Sequence, residues 1–91
     1  MPRTPSAAAA RIGARIAAER KEKGLTQDQL AVLSDIDSSN IRSYESGRAM
    51  LSVHTLIRIS DALRADPGIF LDGLTPEMFL AAAPDARRRA S

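Results

Sequence analysis

The sequence predicts an all-α protein: a compact bundle of five short helices with a further helical turn or two at its C-terminal side. Three observations carry this. Apolar residues recur three and four apart, and no stretch alternates with the period of a strand. Capping residues and glycines punctuate the chain at short intervals, which marks where helices start and stop. Aromatic residues are limited to Tyr44, Phe70 and Phe79, so the core must be built from Leu, Ile, Val, Ala and Met. With 91 residues, one domain is expected. A domain of this size buries only about 60–65% of its unfolded surface, so its core is thin.

The first helix starts at a cap on Ser6 or Thr4 and runs to Lys23, with Gly24 just past its end. Ala9, Ile12, Ile16 and Leu25 form its apolar stripe. Thr26 opens the second helix, "TQDQLAVL", and Gln29 three residues later completes a capping box, in which each side chain satisfies a backbone N–H of the other's turn. Leu30, Ala31 and Leu33 are its expected apolar side, and it ends near Leu33 or Ser34. Only "SDI" separates it from the next cap, Asp37. Two short helices joined so tightly must cross steeply, as in a helix-turn-helix. The third helix runs from Ser38 to Glu45 or Ser46 and stops at Gly47. Ser52 caps a fourth helix, "VHTLIRISDALR", with Val53, Leu56, Ile57 and Leu63 expected inward. Asp66-Pro67 starts a short fifth helix holding Ile69, Phe70 and Leu71, ended by Gly73. Thr75-Pro76 repeats that start signal for a last turn through Met78, Phe79 and Leu80, and Pro84 stops it. These signals divide the chain into a helix-turn-helix domain over 6–74, a helical extension over 75–83 and a basic tail over 84–91 that is expected to be disordered.

Several function classes are disfavoured. The chain has no cysteine, which removes disulfides, thiolate metal sites and cysteine nucleophiles together. His54 is the sole histidine, so no metal site is expected, and it reads as an exposed surface residue. There is no glycine-rich phosphate loop and no base beside a nucleophile, so no catalytic residue, cofactor or enzyme activity is expected. No apolar run approaches the roughly 20 residues of a membrane span, and "MPRTPSAAAARIG" does not read as a secretory signal. A cytoplasmic, nucleoid-associated location is expected. The net charge of +2 is unevenly spread: the first 25 residues and the final arginine run are basic, and the rest is acidic. Whole-chain charge alone does not predict a nucleic-acid partner, but clustering permits one.

The third helix, "SSNIRSYES", is the most informative stretch. At about 100° per residue, Ile41, Tyr44 and Glu45 share one side. Ser39 and Ser43 lie opposite, flanked by Asn40, Arg42 and Ser46. Solvated faces usually carry Glu and Lys, which favour helix, whereas Ser and Asn compete for the backbone. Short polar side chains do let a helix approach a surface closely, and the major groove admits one helix. Ser bonds base edges or phosphates, Asn pairs with adenine, and Arg pairs with guanine or holds a phosphate. Two charges also occupy inward positions. Arg20 continues the Ile12–Ile16 stripe, and Glu45 follows Ile41 by four. Buried separately they would be costly, so an Arg20–Glu45 ion pair is one expectation, with each side chain reaching water on its own as the other.

These residues resemble the Cro and phage-repressor type of helix-turn-helix, the XRE family. Its pattern runs L-T-Q-x-x-L-A, a turn, a recognition helix ending I-x-x-x-E-x-G, then T-L-x-x-I-x-x-A-L. Here Leu25, Thr26, Gln27, Leu30 and Ala31 supply the first part, Ile41, Glu45 and Gly47 the second, and Thr55, Leu56, Ile59, Ala62 and Leu63 the third. The likeness spans about residues 12–72, and so many matches in order make it specific. It implies a lambda-repressor-like bundle that binds operator DNA as a transcriptional regulator, usually as a homodimer on a palindrome. It implies a phosphate contact for Gln27, with Thr26 beside it, and base reading by Ser38 and Ser39 with Asn40 close by. Ser43, with Arg42 beside it, reads one turn on, and Ser46 and Arg48 hold the DNA backbone. The family also pairs an Arg of the first helix with the Glu before the glycine, which favours the Arg20–Glu45 pair.

The chain departs from the family in places. Asp35 stands where a glycine is preferred, at a strain of ~1 kcal/mol if the backbone there is left-handed. Leu51 replaces a loop proline, and serines replace the Gln, Arg or Lys common at base-reading positions. Asp35 and Asp37 bring negative charge toward the phosphates. Asp37 is explained as a cap. Modest affinity per half-site is therefore expected, with dimerisation and DNA shape supplying the rest.

The segment "GIFLDGLTPEMFLAA" carries more apolar residues than the core needs. Leu74, Met78, Phe79 and Leu80 are expected as the surplus, forming a dimer interface; closure of the bundle by Ile69, Phe70, Leu74 and Phe79 is the competing expectation. The rival function is a protein-interaction module of the same fold, an antitoxin or coactivator, whose apolar C-terminal patch grips a different chain. Salt dependence separates the two, because DNA binding weakens steeply with salt and an apolar interface does not.

Overall fold

The structure, a computed structural model, describes residues 6–82. They form α1 (Ala7–Glu22), α2 (Gln27–Ser34), α3 (Ser38–Ser46), α4 (Val53–Leu63), α5 (Gly68–Leu71) and α6 (Pro76–Leu80). The expected all-α class is the class observed. The described residues hold no strand, only one isolated antiparallel bridge between Ser6 and Ala82. The alternative cap Thr4, the stop at Pro84 and the tail over 84–91 with its arginine run lie outside the described residues.

Helices α1 to α4 each start where a side chain satisfies a free N–H group of the first turn. The Ser6 hydroxyl accepts from Ala9 N–H at 3.0 Å, and Ser52 accepts from Thr55 N–H at 3.1 Å. At α2 the capping box is complete: Thr26 Oγ1 accepts from Gln29 N–H at 3.0 Å, and Gln29 Oε1 accepts from Thr26 N–H at 2.8 Å. Asp66 caps the α5 turn from Gly68 N–H at 2.9 Å, so that helix starts one place later than its proline.

The core joins Ile12 and Ile16 of α1, Leu30 and Ala31 of α2, Ile41 of α3, Leu56, Ile59 and Leu63 of α4, and Phe70 of α5. Phe70 is fully buried and is the largest side chain in it. The most intimate seam lies between α1 and α3. A Cβ on Gly13 would stand 2.1 Å from the Tyr44 carbonyl oxygen, and one on Gly47 would stand 2.7 Å from Ala10 Cα. Gly47 also ends α3 in the left-handed region at φ 82°, so glycine is required there twice over.

Some inward assignments are corrected. On α2 the inner positions are Leu30, Ala31 and Ser34, while Leu33 faces out. On α4 they are Leu56, Ile59, Ser60 and Leu63, a run at three, four and seven, while Ile57 is half exposed and Val53 is 75% exposed. The inner serines hid this pattern from hydrophobic spacing. Ser34 and Ser60 enter the core because each hydroxyl donates to the carbonyl four residues back, Leu30 and Leu56, both at 2.7 Å. On α5 only Phe70 is buried, and Ile69 and Leu71 are half exposed. Leu74 is not surplus surface, because it packs against the core.

Basic side chains close the C-terminal ends of neighbouring helices. Arg15 donates to the Ile69 and Asp72 carbonyls at 3.1 and 2.7 Å. Lys23 donates to the Leu63 carbonyl at 2.7 Å. Arg58 donates to the Ser34 and Asp35 carbonyls at 3.2 and 2.5 Å. Each places a cation at the negative end of a helix dipole. The segment after α5 returns to the first helix: α6 packs on α1, and Ala7 N–H donates to the Ala81 carbonyl at 2.9 Å.

Candidate nucleic-acid interface

The turn between α2 and α3 sets the direction of the outer face. Asp35 adopts φ 58° and ψ 44°, the left-handed conformation that the family likeness assigns to glycine. Its N–H and that of Ile36 return to the carbonyls of Val32 and Ala31, at 3.3 and 3.0 Å. Ile36 then tucks against the core. Arg58 explains how an aspartate is kept there. Besides its two carbonyl contacts, its guanidinium lies 3.2 Å from Asp35 Oδ2. The turn is thus held from α4, an element 23 residues away, and no local sequence signal reveals that.

The inner side of α3 is fixed by three residues. Ile41 is fully buried, Tyr44 packs against the core, and Glu45 meets Arg20. Arg20 Nε donates to Glu45 Oε2 at 2.6 Å and Nη2 donates to Oε1 at 2.9 Å, a forked pair whose side chains are 10% and 5% exposed. Arg20 Nη1 donates to the Leu25 carbonyl at 2.8 Å. The hydrogen bonds to Glu45 hold the Arg20 guanidinium more firmly charged than usual, against the opposing effect of burial. Gln27 completes the cluster, its Nε2 donating to Glu45 Oε1 at 2.9 Å. One carboxylate therefore ties α1, α2 and α3 together, as a buried charge must be paired to be tolerated.

The outer side presents Ser39, Asn40, Arg42, Ser46 and Arg48 to solvent, with Ser38 and Ser43 half-buried beside them. Thr26 is exposed but spends its hydroxyl oxygen on the capping box. Ser46 is also partly committed, donating to the Ser43 carbonyl at 3.1 Å. Arg48 N–H closes the end of α3 on that same carbonyl at 3.0 Å. His54 is exposed. Phe79 is 49% exposed and Leu80 is 90% exposed on α6, while Met78 is half-buried.

Asp37 caps α3 as expected, but two further polar contacts on this face were not anticipated, Arg42 with Asp28 and the Ser39 hydroxyl with Asp37. Arg42 Nη1 lies 3.7 Å from Asp28 Oδ1, an exposed pair that spans α3 and α2. At the start of α3, Asp37 Oδ2 accepts from Ser39 N–H at 3.2 Å and also from the Ser39 hydroxyl. These bonds, the hydroxyl's first, hold the Asp37 carboxyl below its ordinary pKa. The D-S-S sequence carries that second signal, since aspartate readily bonds residues two places on. Asp28 carries none, because its partner is remote in sequence. Among the described residues no three His, Cys, Asp or Glu side chains are grouped to hold a metal ion, and no helix is long and apolar enough to cross a membrane.

Comparison with known proteins bears on this surface. A family model described as helix-turn-helix matches residues 16–70, from mid-α1 to Phe70. An uncharacterized HTH-type transcriptional regulator of Rickettsia conorii is 35% identical over 63 residues, covering 69% of this chain and 50% of its own length. The chain thus spans about half the length of the curated relatives it matches. Among solved structures, the restriction-modification controller protein C.AhdI of Aeromonas hydrophila superposes with a TM-score of 0.67 at 31% identity, over 68% of this chain and 94% of its own. SinR, described as the master regulator for biofilm formation and solved in complex with DNA, gives 0.65 at 32%, over 67% and 98%.

Proposed function

We propose that this chain, which belongs to the XRE-type helix-turn-helix family and carries that family's DNA-binding fold, is a sequence-specific transcriptional regulator that places α3 in the major groove of double-stranded DNA. The observation that carries the reading is the division of α3. Its inner side is locked by Ile41 and by the Arg20–Glu45–Gln27 cluster, and its outer side is kept free of bulk by Ser39, Asn40 and Ser43. A helix held rigidly and faced with short polar groups can approach base edges closely. Ser38, Ser39, Asn40, Arg42 and Ser43 are the base-facing set. Thr26, Gln27, Ser46 and Arg48 flank it for the backbone; Gln27, tied to Glu45, would reach a phosphate with the half of its amide that remains free.

The protein acts as a homodimer on a palindromic operator, in the cytoplasm and on the nucleoid. Its dimer surface is Met78, Phe79 and Leu80 of α6, with Leu74 anchoring that segment to the core. Two-fold pairing would set the recognition helices about one DNA turn, roughly 34 Å, apart. The exposure of Phe79 and Leu80 also favours a second reading, in which the same patch grips a different protein chain.

Selection from random duplexes at moderate salt tests the first reading, with light scattering of the free protein beside it. An enriched inverted repeat that is lost on combined Ser39→Ala and Ser43→Ala replacement, together with a dimeric mass, supports it. Weak uniform binding that vanishes with added salt, from a monomer, would overturn it in favour of the protein-binding module.

A further inference from the structure

We propose that the Asp37–Ser39 pair at the start of α3 selects a base bearing an exocyclic amino group, cytosine ahead of adenine, at the operator position it faces. This rests on the reading that α3 enters a major groove, and it names the polarity of one contact there.

A serine hydroxyl has one proton and two lone pairs. The Ser39 proton is committed to Asp37 Oδ2, because an ionised carboxylate has none to offer in return. The backbone N–H of Ser39 points to that same oxygen. What remains toward solvent is lone pairs on Ser39 Oγ and the other carboxylate oxygen of Asp37. Both residues are exposed, so the Asp37–Ser39 pair itself shows the groove acceptors only, and an anion behind them, while the donors at this end of α3 belong to its neighbours Ser38 and Asn40. Asp37 also lines a neighbouring hollow of about 560 Å³ with Asp28 and Asp35, but those two stand near Arg42 and Arg58, so the acceptor character rests on the Asp37–Ser39 pair itself.

Few groups on DNA can answer such an edge. Phosphate oxygens are anionic acceptors, so the usual role of serine beside the backbone is closed to Ser39. Guanine offers N7 and O6, and thymine offers O4, all acceptors. Only the N4 amino group of cytosine and the N6 amino group of adenine donate into the major groove. They differ in their neighbours. Adenine N6 sits between N7 of the same base and O4 of its partner thymine, both repelling an anion. Cytosine N4 has guanine O6 on one side only, with the C5–H edge on the other. The pair therefore ranks cytosine first, adenine second, and guanine and thymine last.

The test measures binding to an operator obtained by selection, with each position changed in turn to all four base pairs. Fluorescence anisotropy is read for the unchanged protein, Asp37→Asn and Ser39→Ala, with circular dichroism to verify the fold of each. Asparagine caps a helix about as well as aspartate, so Asp37→Asn removes the charge and loosens the hold on the Ser39 proton, since a neutral amide oxygen accepts more weakly than a carboxylate, while keeping the cap. One position per half-site is expected at which cytosine beats guanine and thymine by about tenfold or more. Asp37→Asn and Ser39→Ala should each flatten that position to a few-fold and leave the others as they were. A selective operator whose base preferences neither variant changes would overturn the inference and leave DNA reading intact, as would a position shifted by both variants at which guanine or thymine is preferred. Absence of any selected sequence would overturn DNA reading and this inference together.

Discussion

Replacement of Gly13 by alanine should destabilise the protein, although helix propensity alone says the opposite. Gly13 lies in the interior of α1, where alanine is favoured over glycine by roughly 0.8–1.0 kcal/mol. The new Cβ, however, would stand 2.1 Å from the Tyr44 carbonyl oxygen and 2.8 Å from that of Glu45. Ordinary contact begins near 3.4 Å, so α1 and α3 would have to part by about 1.3 Å. Both obstacles are backbone atoms and cannot swing aside as a side chain would. The same seam holds the close approach of Gly47 to Ala10 and the forked Arg20–Glu45 pair, and separation lengthens both. Overpacking of this kind costs typically about 1–3 kcal/mol, and its upper half applies where backbone must yield. Net of the propensity gain, a loss of about 1–2 kcal/mol is expected. For a domain of this size that is a fall in Tm of roughly 5–15 °C, read by circular dichroism. The control is Ala18→Gly on the exposed side of the same helix, which should cost about 1 kcal/mol through propensity alone. If Gly13→Ala raised Tm while Ala18→Gly lowered it, the seam would not be a steric limit and the reasoning would be wrong.

Other expectations follow from named contacts. Glu45→Ala strands a buried guanidinium and should cost about 3 kcal/mol or more in thermal unfolding, while a joint Arg20→Met, Glu45→Leu replacement should recover much of it; equal losses in both would argue against a buried pair. Asp35→Gly relieves the left-handed backbone but forfeits an exposed contact with Arg58, so a gain of up to ~1 kcal/mol is expected, and a clear loss would show that the carboxylate matters more than the strain. Because the Asp37 pKa is lowered on folding, its contribution is present above the unfolded value near 3.8 and is lost as pH falls through the lower folded value; Asp37→Asn should erase that part of the acid dependence of unfolding, and an unchanged acid limb would refute the assignment. Combined Phe79→Glu and Leu80→Lys replacement should abolish a dimer in light scattering with little change in Tm, since both side chains are half or more exposed, and a large loss of stability would place them in the fold instead.

The parts of this molecule that were legible in the sequence are those whose signal is local. Thr26 with Gln29, Asp37, Gly47 and Ser52 mark helix ends within a few residues of themselves, and the structure uses all four. The outer face of α3 followed from angular position alone. What escaped is held by partners remote in sequence or by atoms that hydropathy ignores. Ser34 and Ser60 count as polar, yet each is buried through a bond to its own helix. Gly13 looks like a weak helix residue until α3 is placed against it. Asp35 looked unfavourable because Arg58, its support, belongs to another helix. Gln27 was given to a phosphate on family likeness, and its tie to Glu45 appears only when three helices meet.

The same distinction governs what the positive charges can do, and it leads to a last expectation. The first 25 residues carry six basic groups against two acidic ones, which in a linear reading suggests a basic patch for DNA. In the fold three of these six cations are committed elsewhere. Arg15 and Lys23 close the ends of α5 and α4, and Arg20 is buried against Glu45. Arg58, from α4, closes α2. On the reading surface itself the cations are Arg42 and Arg48, and Arg42 stands near Asp28. A dimer with two such cations per protomer would neutralise about four phosphates. The slope of log K against log salt should then be about −3.6, at roughly −0.9 for each phosphate. Anisotropy titrations across a salt series measure it directly, and Arg48→Ala should make the slope shallower by about 2 in a dimer. A slope near −8 would refute this account, because the cations assigned to helix ends would then have to be free for DNA, or others, such as the arginine run at 87–89, would have to join them.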